Sequence, residues 1–197
     1  MTVQLPADMH PVDAVPALLD YGMTLSSPLG TADLRVDRPG SRFRIALQFP
    51  PMVPERSRII VSRLLRAKAE GLRVPYPLFV SQGLPNAPVV DGAGQAGTTL
   101  AVRGLTPNYS FREGWWLSIE SATGQHFLHN VAAGGIASSG GSAQLSIWPP
   151  LRRPFADGDK VHLGKPMIEG LPEGDETSWQ IPVNGLVAVA VTIREQA

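Results

Sequence analysis

Leu186-Val187-Ala188-Val189-Ala190-Val191-Thr192-Ile193 reads as one strand close to the end of a 197-residue chain. At a period of two, Val187, Val189, Val191 and Ile193 share one face, and Ala188, Ala190 and Thr192 share the other. Large side chains backed by small ones suggest a strand covered on both sides. Such a segment cannot be a loose tail, so it must pair with something earlier in the chain. The best partner is Arg42–Phe49, where Phe43, Ile45, Leu47 and Phe49 alternate with Arg44, Ala46 and Gln48. Pro50-Pro51 is expected to end that strand.

A helix is expected directly afterwards, over Pro54–Glu70. Ile60, Leu64 and Ala67 recur at helical spacing with Val61 and Leu65 beside them, which gives one apolar stripe. Pro54 suits the first helical position, Glu55 the positive helix start, and Gly71 the residue after the last turn. The remaining face carries Arg56, Arg58, Arg63, Arg66 and Lys68. Two readings stay open: cations in water, or a face that meets an acidic partner. Residues 1–32 read as a Pro-rich arm with one short strand near Tyr21–Leu25, and Tyr76–Val80 as a further short strand.

Beyond Ser81 the texture changes. Thr98–Arg103, Trp115–Glu120, His126–Ala132, Ala143–Trp148 and Lys160–Leu163 read as five strands, separated by Gly-rich turns such as Asp157-Gly158-Asp159. Five short strands without a long helix suggest a five-stranded barrel of the oligonucleotide/oligosaccharide-binding (OB) kind, although strand number alone does not separate it from other small barrels. After this barrel come an acidic stretch with Glu169, Glu173, Asp175 and Glu176, a strand over Ser178–Val183, and the terminal strand. The fold class is therefore mainly β. Residues 1–81 and 165–197 form a discontinuous domain with one helix, and residues 82–164 form an inserted barrel.

Lys+Arg and Asp+Glu are both 17, so the whole chain has no electrostatic footprint for nucleic acid. Charge is uneven along it: ten Lys/Arg against seven Asp/Glu in residues 1–81, five of each in 82–164, and two against five in 165–197. A domain built from head and tail is neutral but polarised, which suits self-association through complementary patches. The absence of cysteine excludes disulfides and thiolate chemistry. The opening residues show no signal-peptide pattern, and no apolar run approaches the roughly 20 residues of a membrane helix, so no membrane insertion is expected.

The candidate chemistries fail one by one. Gly92-Ala-Gly94-Gln-Ala-Gly97 spells the dinucleotide fingerprint G-x-G-x-x-G, but Thr98-Thr99-Leu100-Ala101-Val102 follows and reads as strand. The mechanism needs a helix N-terminus there, so no cofactor is expected. His126 and His129 lie three apart in a strand and point to opposite faces, while His10 and His162 lack ligand-spaced neighbours, so no metal is expected. Ser138–Ser142 is a glycine loop without a strained nucleophile. Asp157/Asp159 and Asp175/Glu176 sit in turns, where solvated carboxylates are the default. No catalytic residue emerges and no enzyme is expected. In Trp115-Trp116 one ring faces inward and the other outward; core packing for one and an interface for the other is the favoured reading, and stacking of the outer ring on a sugar or a base is the alternative.

The order of the pieces resembles the distal tail proteins of long-tailed (siphovirus-type) phages, the short two-domain kind. The resemblance rests on Ser62-Arg63-Leu64-Leu65 with the closing Gly71, and on Ala93-Gly94-Gln95-x-Gly97 before a barrel strand. It also rests on Leu145-Ser146-Ile147-Trp148-Pro149-Pro150-Leu151 followed by a Gly-Asp turn and Gly164-Lys165-Pro166-Met167, and on the terminal strand ending Thr192-Ile193-Arg194-Glu195. It runs from about Phe43 to the end, as order and spacing more than identity. It implies a β-sandwich-like ring domain that assembles as a homohexamer at the tail tip, with the OB-like barrel on the periphery. It further implies a baseplate-hub role between the tail tube protein and the tail-tip proteins, assembly in the bacterial host cytoplasm, and a channel through which DNA passes as cargo. Contact of the barrel with host-surface carbohydrate through Trp115 or Trp116 is part of the same expectation. The rival is a stand-alone carbohydrate-binding barrel module, or less favoured a single-strand nucleic-acid-binding one, which would need outward aromatics interleaved with cations. Arg56, Arg63 and Arg66 on the helix and Glu169, Glu173, Asp175 and Glu176 in the acidic stretch are the subunit-interface candidates, with the acidic segment expected near the helix of the same or a neighbouring subunit. DNA in the channel is the other partner open to the arginines.

Overall fold

A computed structural model describes residues 2–26, 30, 32–38, 40–179 and 185–196. In chain order the strands are β1 (Val3–Gln4), β2 (Asp13–Leu19), β3 (Met23–Leu25), β4 (Leu34–Val36) and β5 (Arg42–Met52). Helix α1 (Pro54–Glu70) follows, then β6 (Leu72–Pro75), β7 (Asn86–Val90), β8 (Gln95–Leu105), β9 (Ser110–Phe111) and β10 (Trp116–Glu120). The remaining strands are β11 (His126–Ala133), β12 (Gly135–Ile136), β13 (Ala143–Phe155), β14 (Lys160–His162), β15 (Met167–Pro172) and β16 (Val187–Glu195). The chain is mainly β and contains a closed barrel. It divides into two compact units, residues 1–17, 43–79 and 167–196 in one, and 18–42 with 80–166 in the other. The barrel thus interrupts the first unit, and the stretch that holds β3 and β4 groups with the barrel unit.

The first unit is built on a six-stranded sheet in the order β1-β6-β15-β16-β5-β2. The terminal strand finds the expected partner: β16 runs antiparallel to β5, with Ile193 opposite Ile45, Val191 opposite Leu47 and Val189 opposite Phe49. Ile45, Leu47, Phe49, Val189 and Ile193 are buried. β5 does not stop at Pro50-Pro51 but continues to Met52. Beyond Val189↔Phe49 the β5–β16 register shifts, and Val187 resumes pairing with Met52, so the two prolines fall at an irregularity, where a missing N–H is tolerated.

Helix α1 has the expected bounds, with Pro54 in its first turn and Gly71 at φ +81°, the Gly71 N–H donating to the Ala67 carbonyl. It lies against β1, β6, β15 and β16 and buries Ser57, Ile60, Leu64 and Ala67. Leu65, expected beside this stripe, is 51% exposed. One face of the sheet is therefore covered by a helix rather than by a second sheet, which departs from the sandwich-like expectation. On the other face of β16, Ala188 and Ala190 are exposed within the subunit. The short strand after the helix is Leu72–Pro75 rather than Tyr76–Val80, because Leu72 and Val74 pair with Gly170 and Ile168 of β15. The strand expected over Ser178–Val183 is irregular at 178–179 and otherwise lies outside the described residues.

The barrel closes with six strands rather than five, in the order β10-β11-β13-β8-β7-β14. The extra one is β7, Asn-Ala-Pro-Val-Val, whose central proline hides it from a strand reading. The interior is apolar: Leu100, Leu117, Ile119, Phe127, Leu145, Ile147 and Phe155 are all essentially inaccessible, and Phe127 meets Phe155 edge-on at 5.4 Å. Gly92 and Gly94 lie in the turn into β8 and Gly97 within β8 itself, opposite Leu151; the three glycines have φ of +89°, +75° and +83° and nothing crowds them. Among the described residues no helix is long and apolar enough to cross a membrane.

Candidate functional site

Each unit presents its own candidate surface. In the first, Arg44 and Arg194 stand directly opposite each other on β5 and β16. Glu173 lies between them, 3.4 Å from Arg44 and 4.0 Å from Arg194, and offsets a like-charge pair that would otherwise destabilise the ladder. Glu169 stands opposite Arg73 in the β6–β15 ladder and meets its Nε at 2.7 Å, with both side chains largely buried; Thr2 Oγ1 donates to the second carboxylate oxygen at 2.7 Å. The helix arginines use other partners. Arg56 pairs with Asp8, Arg63 donates to the Gln4 carbonyl at 2.6 Å, and Arg66 pairs with Glu70 one turn along.

Within the subunit, then, Glu169 and Glu173 are engaged by sheet arginines and not by Arg56, Arg63 or Arg66. The alternation explains this. Cross-strand neighbours reach those carboxylates first, and the helix arginines find acceptors on the N-terminal segment and on the helix itself. Lys68 links helix and acidic stretch by donating to the Gly174 carbonyl. Asp175 is exposed and Glu176 is exposed beside it. The buried Glu169–Arg73 pair yields a prediction. Glu169→Ala removes a carboxylate from beside a largely buried guanidinium and is expected to cost about 3 kcal/mol, as breaking buried pairs does, measured by chemical denaturation against Arg58→Ala. Arg58 pairs with Glu55 at the exposed helix start, and its loss should cost under about 1 kcal/mol.

The second unit carries the arm hairpin and the barrel. β3 and β4 form a two-stranded hairpin with Met23 opposite Val36 and Leu25 opposite Leu34. All four side chains are 41–60% exposed. Arg35 clamps the hairpin's reverse side through Asp20 at 2.6 Å and Asp37 at 2.8 Å; the backbone N–H of Gly22 foremost, then Arg35, holds the Asp20 carboxyl below its usual range.

On the barrel, Leu117 and Ile119 point into the core, so Trp116, Ser118 and Glu120 of β10 face outward. Trp115 packs partly against the core, 6.1 Å from the Tyr109 ring, and Trp116 is half-buried. The in-and-out split is as expected, yet neither ring stands clear of the surface as a stacking platform. Gln82 fixes the segment, its side chain exchanging hydrogen bonds with the backbone N–H and carbonyl of Trp116 at 2.7 Å each.

The outward face of β10 also assembles what spacing alone did not reveal. Glu120 lies directly opposite His126 on β11 and opposite Lys160 on β14, and Ser118 lies opposite His162. His162 Nε2 is 2.9 Å from Glu120 Oε2, the two imidazoles are 5.0 Å apart, and Ser118 Oγ is 3.3 Å from His126 Nδ1. One donor atom from each of Glu120, His126 and His162 falls within 4.8 Å of the others. Burial pushes the Glu120 carboxyl up, but the bond to His162 and the nearby cations outweigh it and leave it lowered. The expectation that His162 has no ligand-type neighbours is corrected here: they come from two other strands. The legible signal was the hairpin spacing of Glu120 and His126 about a tight turn, which puts them in register. His129, by contrast, faces inward and is fully buried, as its separation from His126 required. Comparison of the chain with protein-family models and with curated proteins finds no match.

Proposed function

We propose that this chain is a structural subunit of a phage tail, a distal tail protein whose copies close into a homohexameric ring between tail tube and tail tip. The order of its sequence elements is that of the family it resembles, and the barrel inserted into a sheet-and-helix unit agrees with that layout. The observation that carries self-assembly is the β3–β4 hairpin. An isolated two-stranded hairpin is marginal in water, and this one keeps Met23, Leu25, Leu34 and Val36 together on one exposed face. Those pairs are worth forming if a neighbouring copy buries them. The alanine face of β16 is a second surface that a neighbouring layer would cover. On this reading DNA is passing cargo, and the exposed Asp175 and Glu176 are free to meet cations of the next subunit.

The test is the solution mass, by light scattering and native mass spectrometry, alone and with the tail tube protein. Six times the 21.1 kDa chain mass is expected. Met23→Asp with Leu34→Asp places two carboxylates on the apolar hairpin face and is expected to yield folded monomer. A strict monomer at high concentration in both settings overturns the proposal, as does a hexamer indifferent to the double substitution for the hairpin's part in it.

A further inference from the structure

We infer that Glu120, His126 and His162 form a binding site for one zinc-class divalent cation on the outer face of the barrel. Two imidazoles and a carboxylate make a donor set that favours zinc, cobalt, nickel or copper over magnesium and calcium, which take oxygen ligands. The three residues come from β10, β11 and β14, so the backbone ladder already holds their Cα atoms in place before any ion arrives. Their donor atoms lie within 4.8 Å of one another. Bonds of about 2.0–2.1 Å in tetrahedral geometry require donor separations of about 3.4 Å, a contraction that rotation of the side chains supplies.

The surroundings fit the role. Ser118 Oγ sits at His126 Nδ1, the kind of partner that fixes the tautomer and ring direction of a metal-bound histidine and assigns Nε2 to the ion. His126 is buried while Glu120 and His162 are partly exposed, so the site has a firm floor and an open mouth. Three protein ligands leave a fourth position for water or for a group of another molecule. One neighbour opposes binding: Lys160 Nζ lies 3.7 Å from Glu120 Oε2. Its side chain is 67% exposed and can swing into solvent when a cation arrives.

The consequence is mechanical. β14 spans only Lys160–His162 and meets β7 at the single register pair Lys160↔Val89, so it is the slender closing strand of the barrel. An ion held jointly by β10, β11 and β14 anchors this short strand to the barrel on its β10 side. The inference stands on the barrel alone and does not depend on ring assembly.

Untagged protein, stripped with chelator, is titrated with Zn2+ by calorimetry and with Co2+ by visible absorption. One equivalent per chain, the d–d bands of four- or five-coordinate cobalt, and a melting transition raised by several degrees are expected. His162→Gln and Glu120→Gln should each weaken binding by at least tenfold, and His10→Ala should leave it unchanged. Lys160→Ala should tighten it roughly two- to fivefold, the value of a partly exposed charge pair. Should His126→Gln fail to fold, the His162, Glu120 and Lys160 variants carry the test. Absence of stoichiometric binding overturns the inference, and so does binding that survives His162→Gln and Glu120→Gln together.

Discussion

Gly170→Ala is expected to abolish folding of the sheet unit. A methyl group at this position would overlap the carbonyl carbon and oxygen of Arg194 and come within 2.7 Å of Glu195 Cα. Those atoms are backbone, so no side-chain rotation relieves the collision. Gly170 is paired with Leu72 on one side and Glu195 on the other, and opening either ladder exposes the apolar face that α1 covers. Glu195 makes the damage spread. Its carboxylate is buried and accepts a 2.7 Å hydrogen bond from the Phe43 N–H, tying the end of β16 to the start of β5. The cost should exceed about 3 kcal/mol, beyond the usual range for overpacking. The measurement is the denaturation midpoint together with protease resistance of the sheet unit. Gly174→Ala is the matched control: it has φ +84° and open space around it, so it should cost about 1 kcal/mol from backbone strain alone. Equal stability of the two variants would refute the clash.

How far the sequence anticipates this architecture depends on whether a feature is local or non-local. The α1 pattern is local and complete, with a proline at the start, a stripe of Ile60, Leu64 and Ala67, and a glycine at the end, so its bounds are legible. The β5–β16 pairing is non-local, but the apolar excess of Val187–Ile193 demands a partner and Phe43–Phe49 is the best match. β7 is not legible because Pro88 stands at its centre and only Pro88 and Val90 of its five residues are buried. β2 was missed for a similar reason: Asp13–Leu19 is an edge strand with Pro16 in it and no fully buried residue. The Glu120–His126–His162 cluster is hidden in the sequence because spacing along the chain does not reveal cross-strand neighbours. Two of its three contacts cross strands whose register is set by the whole barrel. The acidic segment divides by level: α1 lies against β15 and Lys68 reaches the Gly174 carbonyl, while within the subunit the carboxylates of Glu169 and Glu173 pair with Arg73, Arg44 and Arg194, which register and not charge count places beside them.

Between neutral pH and pH 3 the barrel unit is expected to lose stability because of His129. This imidazole is fully buried; its Nδ1 is 2.9 Å from the Pro149 carbonyl, and its Nε2 has no hydrogen-bond partner. Burial foremost, then the charge of Arg152, drives its pKa down from 6.5 to about 3, against the opposing pull of the Pro149 bond. The folded state therefore keeps His129 neutral, with Nδ1–H donating to Pro149, while the unfolded chain takes up a proton below about pH 6.5. A depressed histidine pKa means the unfolded state binds more protons throughout the window from 6.5 down to 3. Stability attributable to this group is intact above that window, falls about tenfold in the folding constant for each pH unit within it, and levels off below pH 3. The total is roughly 4–5 kcal/mol. His129→Leu removes the titration but leaves the Pro149 carbonyl without its donor, at about 1 kcal/mol. The variant should thus be the less stable protein at pH 7 and the more stable one at pH 5, with the two curves crossing a little below pH 6. Taking the difference between the two proteins cancels the carboxylates they share. The check is urea denaturation of both from pH 7.5 to 4 under chelator, so that no bound cation adds its own pH dependence. Parallel curves would mean that His129 is protonated or solvated in the folded barrel.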